Sequence, residues 1–229
     1  MVLRKVTTPK TGPLSSIPAA GRIAFGAAII NNGTDQAVYA SAADTDEILG
    51  FAVQPANNVV LRSDGFYQQY DDVPYANSGE INALVIALGA TNIIKGDFLE
   101  VAALGGAGGS GAWGVLAEAG AGPAGATKTL TSVAQAAESV TLAASMATPA
   151  AGVAIGDAQI TMAAGAIATM GLVEGDYVML RDADGDTQLN RVKSLTATVI
   201  TLQEPSTVAL TVADNDLVHR VAQIKVKIL

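Results

Sequence analysis

The sequence of 229 residues contains no cysteine, which removes disulfides, thiolate nucleophiles and sulfur-ligated metal sites together. Aromatic residues make up only 4% of it, with a single Trp and five Tyr. Deep ligand pockets are usually lined by large apolar and aromatic groups, so this scarcity argues against one. No uninterrupted apolar run approaches the ~18 residues that a membrane-spanning helix needs, because Gly, Asp, Asn and Thr break every stretch. The first ten residues include Arg4, Lys5 and Lys10 but no apolar segment behind them, so a secretory leader is not expected. There is one histidine, His219.

Half the residues are hydrophobic, and many of these are Ala and Val, accompanied by 24 Gly. Small side chains suit thin, closely packed sheets. The net charge of −8 opposes a nucleic-acid interface, where cations must replace the counterions of phosphates. Its distribution is uneven: residues 1–22 contain Arg4, Lys5, Lys10 and Arg22 with no acid, leaving 9 basic and 21 acidic residues, net −12, in the rest.

Residues 1–20, with Pro9, Gly12, Pro13 and Pro18, disfavour both helix and central strand and read as an extended arm. From Arg22 the pattern is one of short β-prone runs between turns: 22–30 and 36–40 around Asn31-Asn32-Gly33, then 48–55, 58–62, 81–88 and 97–103. The Asn-Gly step favours a tight hairpin. Gly-rich 105–111 and 119–127 read as a loop tip and a boundary. Beyond them, 139–142 and 159–162 are short strand candidates, while 132–138 and 143–154 fit Ala-rich helical turns or loops equally well. Residues 173–188, 190–195 and 198–203 read as three successive antiparallel strands. The segment 216–229 sets Val221, Gln223, Lys225 and Lys227 against Ala222, Ile224, Val226 and Ile228, the alternation of a half-buried strand whose edge could be offered to a partner.

The expected fold is therefore mainly β: a barrel- or sandwich-like unit over 21–126, with 217–229 as a candidate to complete it, and a small β-barrel-like domain at 127–216. Lys95-Gly96-Asp97-Phe98 and Glu174-Gly175-Asp176-Tyr177 echo one another as Gly-Asp turns feeding an aromatic-led strand.

Few residue groups invite chemistry. His219 stands beside Arg220 with no Cys to pair with and no Gly-x-Ser-x-Gly elbow in the sequence, so a surface or sheet histidine is the expectation. Asp182, Asp184 and Asp186 resemble half of a calcium loop, yet the Glu that such a loop needs is replaced by the Arg191-Val192-Lys193 region. A hairpin tip accounts for them better. Asp44, Asp46, Glu47, Asp71 and Asp72 lack the apolar surroundings that raise a carboxyl pKa. The cluster Phe66, Tyr67, Tyr70 and Tyr75 with Asp71-Asp72 reads either as a contact patch or as core aromatics under a loop. No catalytic residue, metal site or cofactor is expected; Arg4, Lys5, Lys10, Tyr67 and Tyr70 are the candidate partner contacts.

The run from Ala20-Gly21-Arg22 through Glu47-Ile48-Leu49-Gly50-Phe51-Ala52-Val53 to Lys95-Gly96-Asp97-Phe98-Leu99, Trp113-Gly114-Val115-Leu116-Ala117 and the closing Ile224-Lys225-Val226-Lys227 resembles tailed-phage capsid decoration (cement) proteins over about half the chain. The stretch 127–215 departs from the simplest of these. The resemblance implies a β-rich, commonly trimeric protein without catalytic residues. Such a protein sits on the outer surface of an icosahedral head, bound to the major capsid protein and stabilising the shell. Another virion component (tail, baseplate or minor head protein) and a surface carbohydrate-binding module are the alternatives.

Overall fold

A computed structural model describes residues 15–43, 47–54, 64–87, 92–104, 113–118, 131–142 and 145–229. Arg4, Lys5, Lys10, Asp44, Asp46, the strand expected at 58–62 and the Gly-rich stretches 105–111 and 119–127 lie outside the described residues. The chain is mainly β, as its short alternating runs require.

In chain order the strands are β1 (Ser15–Pro18), β2 (Ile23–Ala24), β3 (Ala28–Asn31), β4 (Ala37–Tyr39), β5 (Ile48–Ala52), β6 (Phe66–Tyr67), β7 (Asp72–Ala76), β8 (Glu80–Val85), β9 (Phe98–Val101) and β10 (Leu116–Glu118). They continue as β11 (Ala134–Ala136), β12 (Met146–Ala147), β13 (Gln159–Thr161), the short helix α1 (Ala166–Met170), β14 (Tyr177–Arg181), β15 (Thr187–Leu195), β16 (Val199–Leu202) and β17 (Leu217–Ile228).

The N-terminal sheet has the order β1-β7-β5-β3-β4, and a bridge between Ala19 and Ala37 brings its two outer strands together. Ile17, Ile23, Phe25, Ile29, Ala52, Tyr67 and Val73 fill it. The described part of the expected arm is thus tied down: Ser15–Pro18 pairs with β7 and Ile17 is buried. The β3–β4 connection is longer than a two-residue turn. Asn32 donates its amide to Gln36 and its side chain accepts from Thr34 and Gln36, which lets Asp35 take φ +57°.

The C-terminal strand organises the remainder. Its second half pairs with β8 through Ala222–Lys227 and with β11 through Val226–Ile228; β11 pairs with β9, β9 with β10, and β10 touches β8 in parallel at Leu116 and Val85. Those pairings return to their starting strand. Ile81, Ala83, Val85, Leu99, Val101, Leu116, Ala134, Ala136, Ala222, Ile224 and Val226 point into this first ring.

Along its first half β17 pairs with β14 on one side and with β12 on the other. The three-stranded run expected at 173–203 is present as β14-β15-β16, extended by β13, and a Pro149–Met162 bridge leads from β13 back towards β12. Val153, Ile160, Met162, Ile167, Met170, Val178, Leu180, Ile200, Leu202 and Val218 form the core of this second ring.

The terminal strand is paired on both sides at Val218–His219 and Val226–Lys227, which makes it a central element there, while along 221–224 it is paired on one side only among the described residues. Residues 134–136, an Ala-Gln-Ala stretch that suits a helix, form a strand because both neighbouring edges would otherwise lie open; tertiary pairing overrides local preference. Among the described residues no helix is long and apolar enough to cross a membrane.

Candidate functional site

Among the described residues four turns share one geometry. In each, the amide of an aspartate donates to the carbonyl three residues earlier, and its carboxylate accepts from the amide of that same earlier residue. Ile94 and Asp97 make the pair at 94–97, with Oδ2 2.6 Å from the Ile94 amide. Ala154 and Asp157 repeat it at 2.8 Å, and Val173 and Asp176 at 3.1 Å. The third position needs positive φ, as in a type II turn, and favours glycine. Gly96 (+101°), Gly156 (+97°) and Gly175 (+86°) occupy it.

The fourth turn, 68–71, has the same two bonds, Asp71 amide to Gln68 carbonyl and Gln68 amide to Asp71 Oδ2 at 2.6 Å, but its third residue is Tyr70 at φ +68°. A bulky L-residue in the left-handed region is out of place, at a cost of about 1–2 kcal/mol. The fold recovers little of this, because Tyr70 is 72% exposed. Surrounding bonds hold the turn: the Tyr70 amide donates to Ala19, the Ala19 amide to Asp71, and Gln68 Nε2 to Asp64 at 2.7 Å. The aromatic ring is therefore displayed on a braced turn at the root of the N-terminal segment. Asp72, exposed at the start of β7, lies beside it.

Tyr67 has a different fate. It is buried, its ring meets Phe25 edge-on at 4.9 Å, and its hydroxyl donates to the Val53 carbonyl at 2.5 Å. As a core residue it has no face to present, so of the two tyrosines only Tyr70 is placed for contact. Tyr75 is half-buried against the N-terminal core.

The other candidates resolve locally. His219 is buried in β17, opposite Met146 and Met179 in register, and neither ring nitrogen has a hydrogen-bond partner among the described residues. Burial, then the nearby Arg181 charge, pushes its pKa down to about 4, with the Ala87 backbone acting weakly the other way. It is a neutral histidine of the core. Asp182 spends its Oδ1 on the Asp186 amide at 2.8 Å and closes the β14–β15 hairpin through its own amide. Among the described residues no group of three or more His, Asp or Glu side chains could hold a metal ion.

Sequence reasoning paired Gly96-Asp97 with Gly175-Asp176 but missed Gly156-Asp157 and, above all, Tyr70-Asp71. The signal was present, since an Asp three residues after a turn start recurs with Gly before it in every case but one. No protein-family model matches the chain, and no curated protein matches its sequence.

Proposed function

We propose that this chain is a structural subunit of a tailed-phage virion, a decoration protein that binds the major capsid protein on the outer face of the head as a homo-oligomer, most simply a trimer. Its work is docking rather than catalysis. The observation that carries the reading is Tyr70. Three sister turns keep glycine where the backbone wants it, while the fourth accepts a strained tyrosine and exposes it, and selection for contact outside the chain explains such a trade. Exposed Tyr on a rigid support is a common anchor at protein interfaces. The basic residues Arg4, Lys5 and Lys10, which precede β1 in the sequence, would add charged contacts to those of the anchor. Repetition around a shell multiplies modest contacts through effective concentration.

Purified protein mixed with undecorated heads is expected to bind saturably. Removing residues 1–14, which leaves β1 in place, and Tyr70→Gly should each weaken binding at least tenfold. Tyr70→Gly should also raise the stability of the free protein by about 0.5–1 kcal/mol in denaturant titration, because glycine relieves the strain. No binding to heads, or binding confined to tails, rejects decoration of the capsid. Undiminished binding by Tyr70→Gly rejects the anchor.

A further inference from the structure

A cleft of about 380 Å³ opens where the two rings meet, lined among the described residues by Val140, the 173–177 turn, Arg191 and the 220–223 part of β17. Its volume is at the small end of the ligand-site range, room for one or two side chains. Two guanidinium groups converge on it. Arg191 donates through Nε to the Gly175 carbonyl at 2.8 Å and lies near the Tyr177 ring, 5.8 Å from its centroid. Arg220 donates through Nε to Asp176 Oδ2 at 3.2 Å.

Only the inner edge of Arg220 is used. Its terminal nitrogens, Nη1 and Nη2, make no hydrogen bond among the described residues, and its side chain keeps 22% of its surface exposed. Both guanidinium groups pack against glycines that the backbone already requires for their positive φ. A Cβ on Gly171 would lie 3.2 Å from Arg220 Nη1, and one on Gly175 3.3 Å from Arg191 Nη2. Asp176 is already committed to the Val173 amide and to Arg220 Nε, so it holds the guanidinium through Nε and leaves Nη1 and Nη2 without a hydrogen bond among the described residues. The two terminal nitrogens of a planar guanidinium match the two oxygens of a carboxylate.

We infer that this cleft receives a carboxylate side chain from an acidic segment of a partner protein, held bidentately by the terminal nitrogens of Arg220. A long polyanion is disfavoured by the acidic body, net −12 beyond residue 22, whereas a single carboxylate on a short segment meets the local cations without a large repulsive field. Glu174 on the rim adds to this selection against high charge density. The inference is independent of the virion reading, since it concerns the isolated chain.

The test titrates acetyl-Ala-Glu-Ala-amide into protein labelled at arginine Nε, following the Arg220 and Arg191 Nε–H signals by NMR. A saturable shift is expected that weakens with salt, is absent for the Gln-containing peptide, and is at least tenfold weaker in Arg220→Gln. Asp176→Asn keeps an oxygen for the Val173 amide but removes the competing charge, so it should bind the Glu peptide several-fold more tightly than wild type. Equal shifts with the Gln peptide, unchanged affinity in Asp176→Asn, or saturation by inorganic phosphate without any response to peptide would each overturn the inference.

Discussion

Burial holds the His219 imidazole neutral, and that has a cost only when protons become abundant. A base whose folded pKa is about 4 against an ordinary value near 6.5 takes up its proton more readily when unfolded. Stability is therefore complete above pH 6.5 and lost progressively as pH falls towards 4. The difference is worth about 3 kcal/mol. Chemical denaturation at pH 7 and pH 4 should show this loss beyond what the carboxylates contribute. In His219→Met the acid limb should shrink by most of that amount, and an unchanged limb would mean the ring is protonated without penalty. Tyr67 and Tyr70 show what single residues disclose in advance. Both lie in one aromatic cluster of the sequence, and nothing local tells which is inside. The distinction comes from β6 pairing with β2, a contact of more than forty residues' separation, and from a turn whose sisters must be found elsewhere in the chain.

Among the elements, β17 matters most. Ile224 and Val226 are buried in the first ring and Val218 in the second, and a buried aliphatic side chain contributes about 1.5–3 kcal/mol. Ile224→Ala should cost about 2–4 kcal/mol by leaving a cavity. The more specific expectation is that the loss appears in both rings, because they share the strand: hydrogen exchange of β14 amides should quicken along with those of β8. Protection lost in β8 alone would show that the halves of β17 are energetically separate. Alternation at 216–229 and the hairpin tip at 182–186 made β14, β15 and β17 readable as strands, with β16 following as the next β-prone run. Their joining was not readable. Register between 80–85 and 222–227 depends on surfaces brought together only by folding, and the bridge from Pro149 to Met162 leaves no periodic trace.

At the scale of the molecule, the N-terminal sheet and the second ring are fastened across a seam. Arg22 donates to Glu204 at 2.5 Å and lies 3.5 Å over the Phe66 ring. Trp113 Nε1 donates to Thr187 at 2.7 Å while its ring rests against Tyr39, and the Tyr177 hydroxyl donates to the Gly65 carbonyl. Desolvation in this seam pushes the Tyr177 pKa up to about 12. Because the sole tryptophan sits there, its fluorescence reports seam integrity. One unfolding transition is expected, with emission and far-UV circular dichroism coincident; an earlier emission change would reveal that the seam opens first. Arg22→Ala should lower stability by about 1–3 kcal/mol, through loss of the Glu204 bond and the cation–π contact together. Sharing β17 also sets an order of events during synthesis. Both rings need residues 217–228, which leave the ribosome after every other strand of either ring, so nascent chains must wait with their sheets ajar. A message cut short before that point is expected to yield a product that can close neither ring and is readily degraded by proteases.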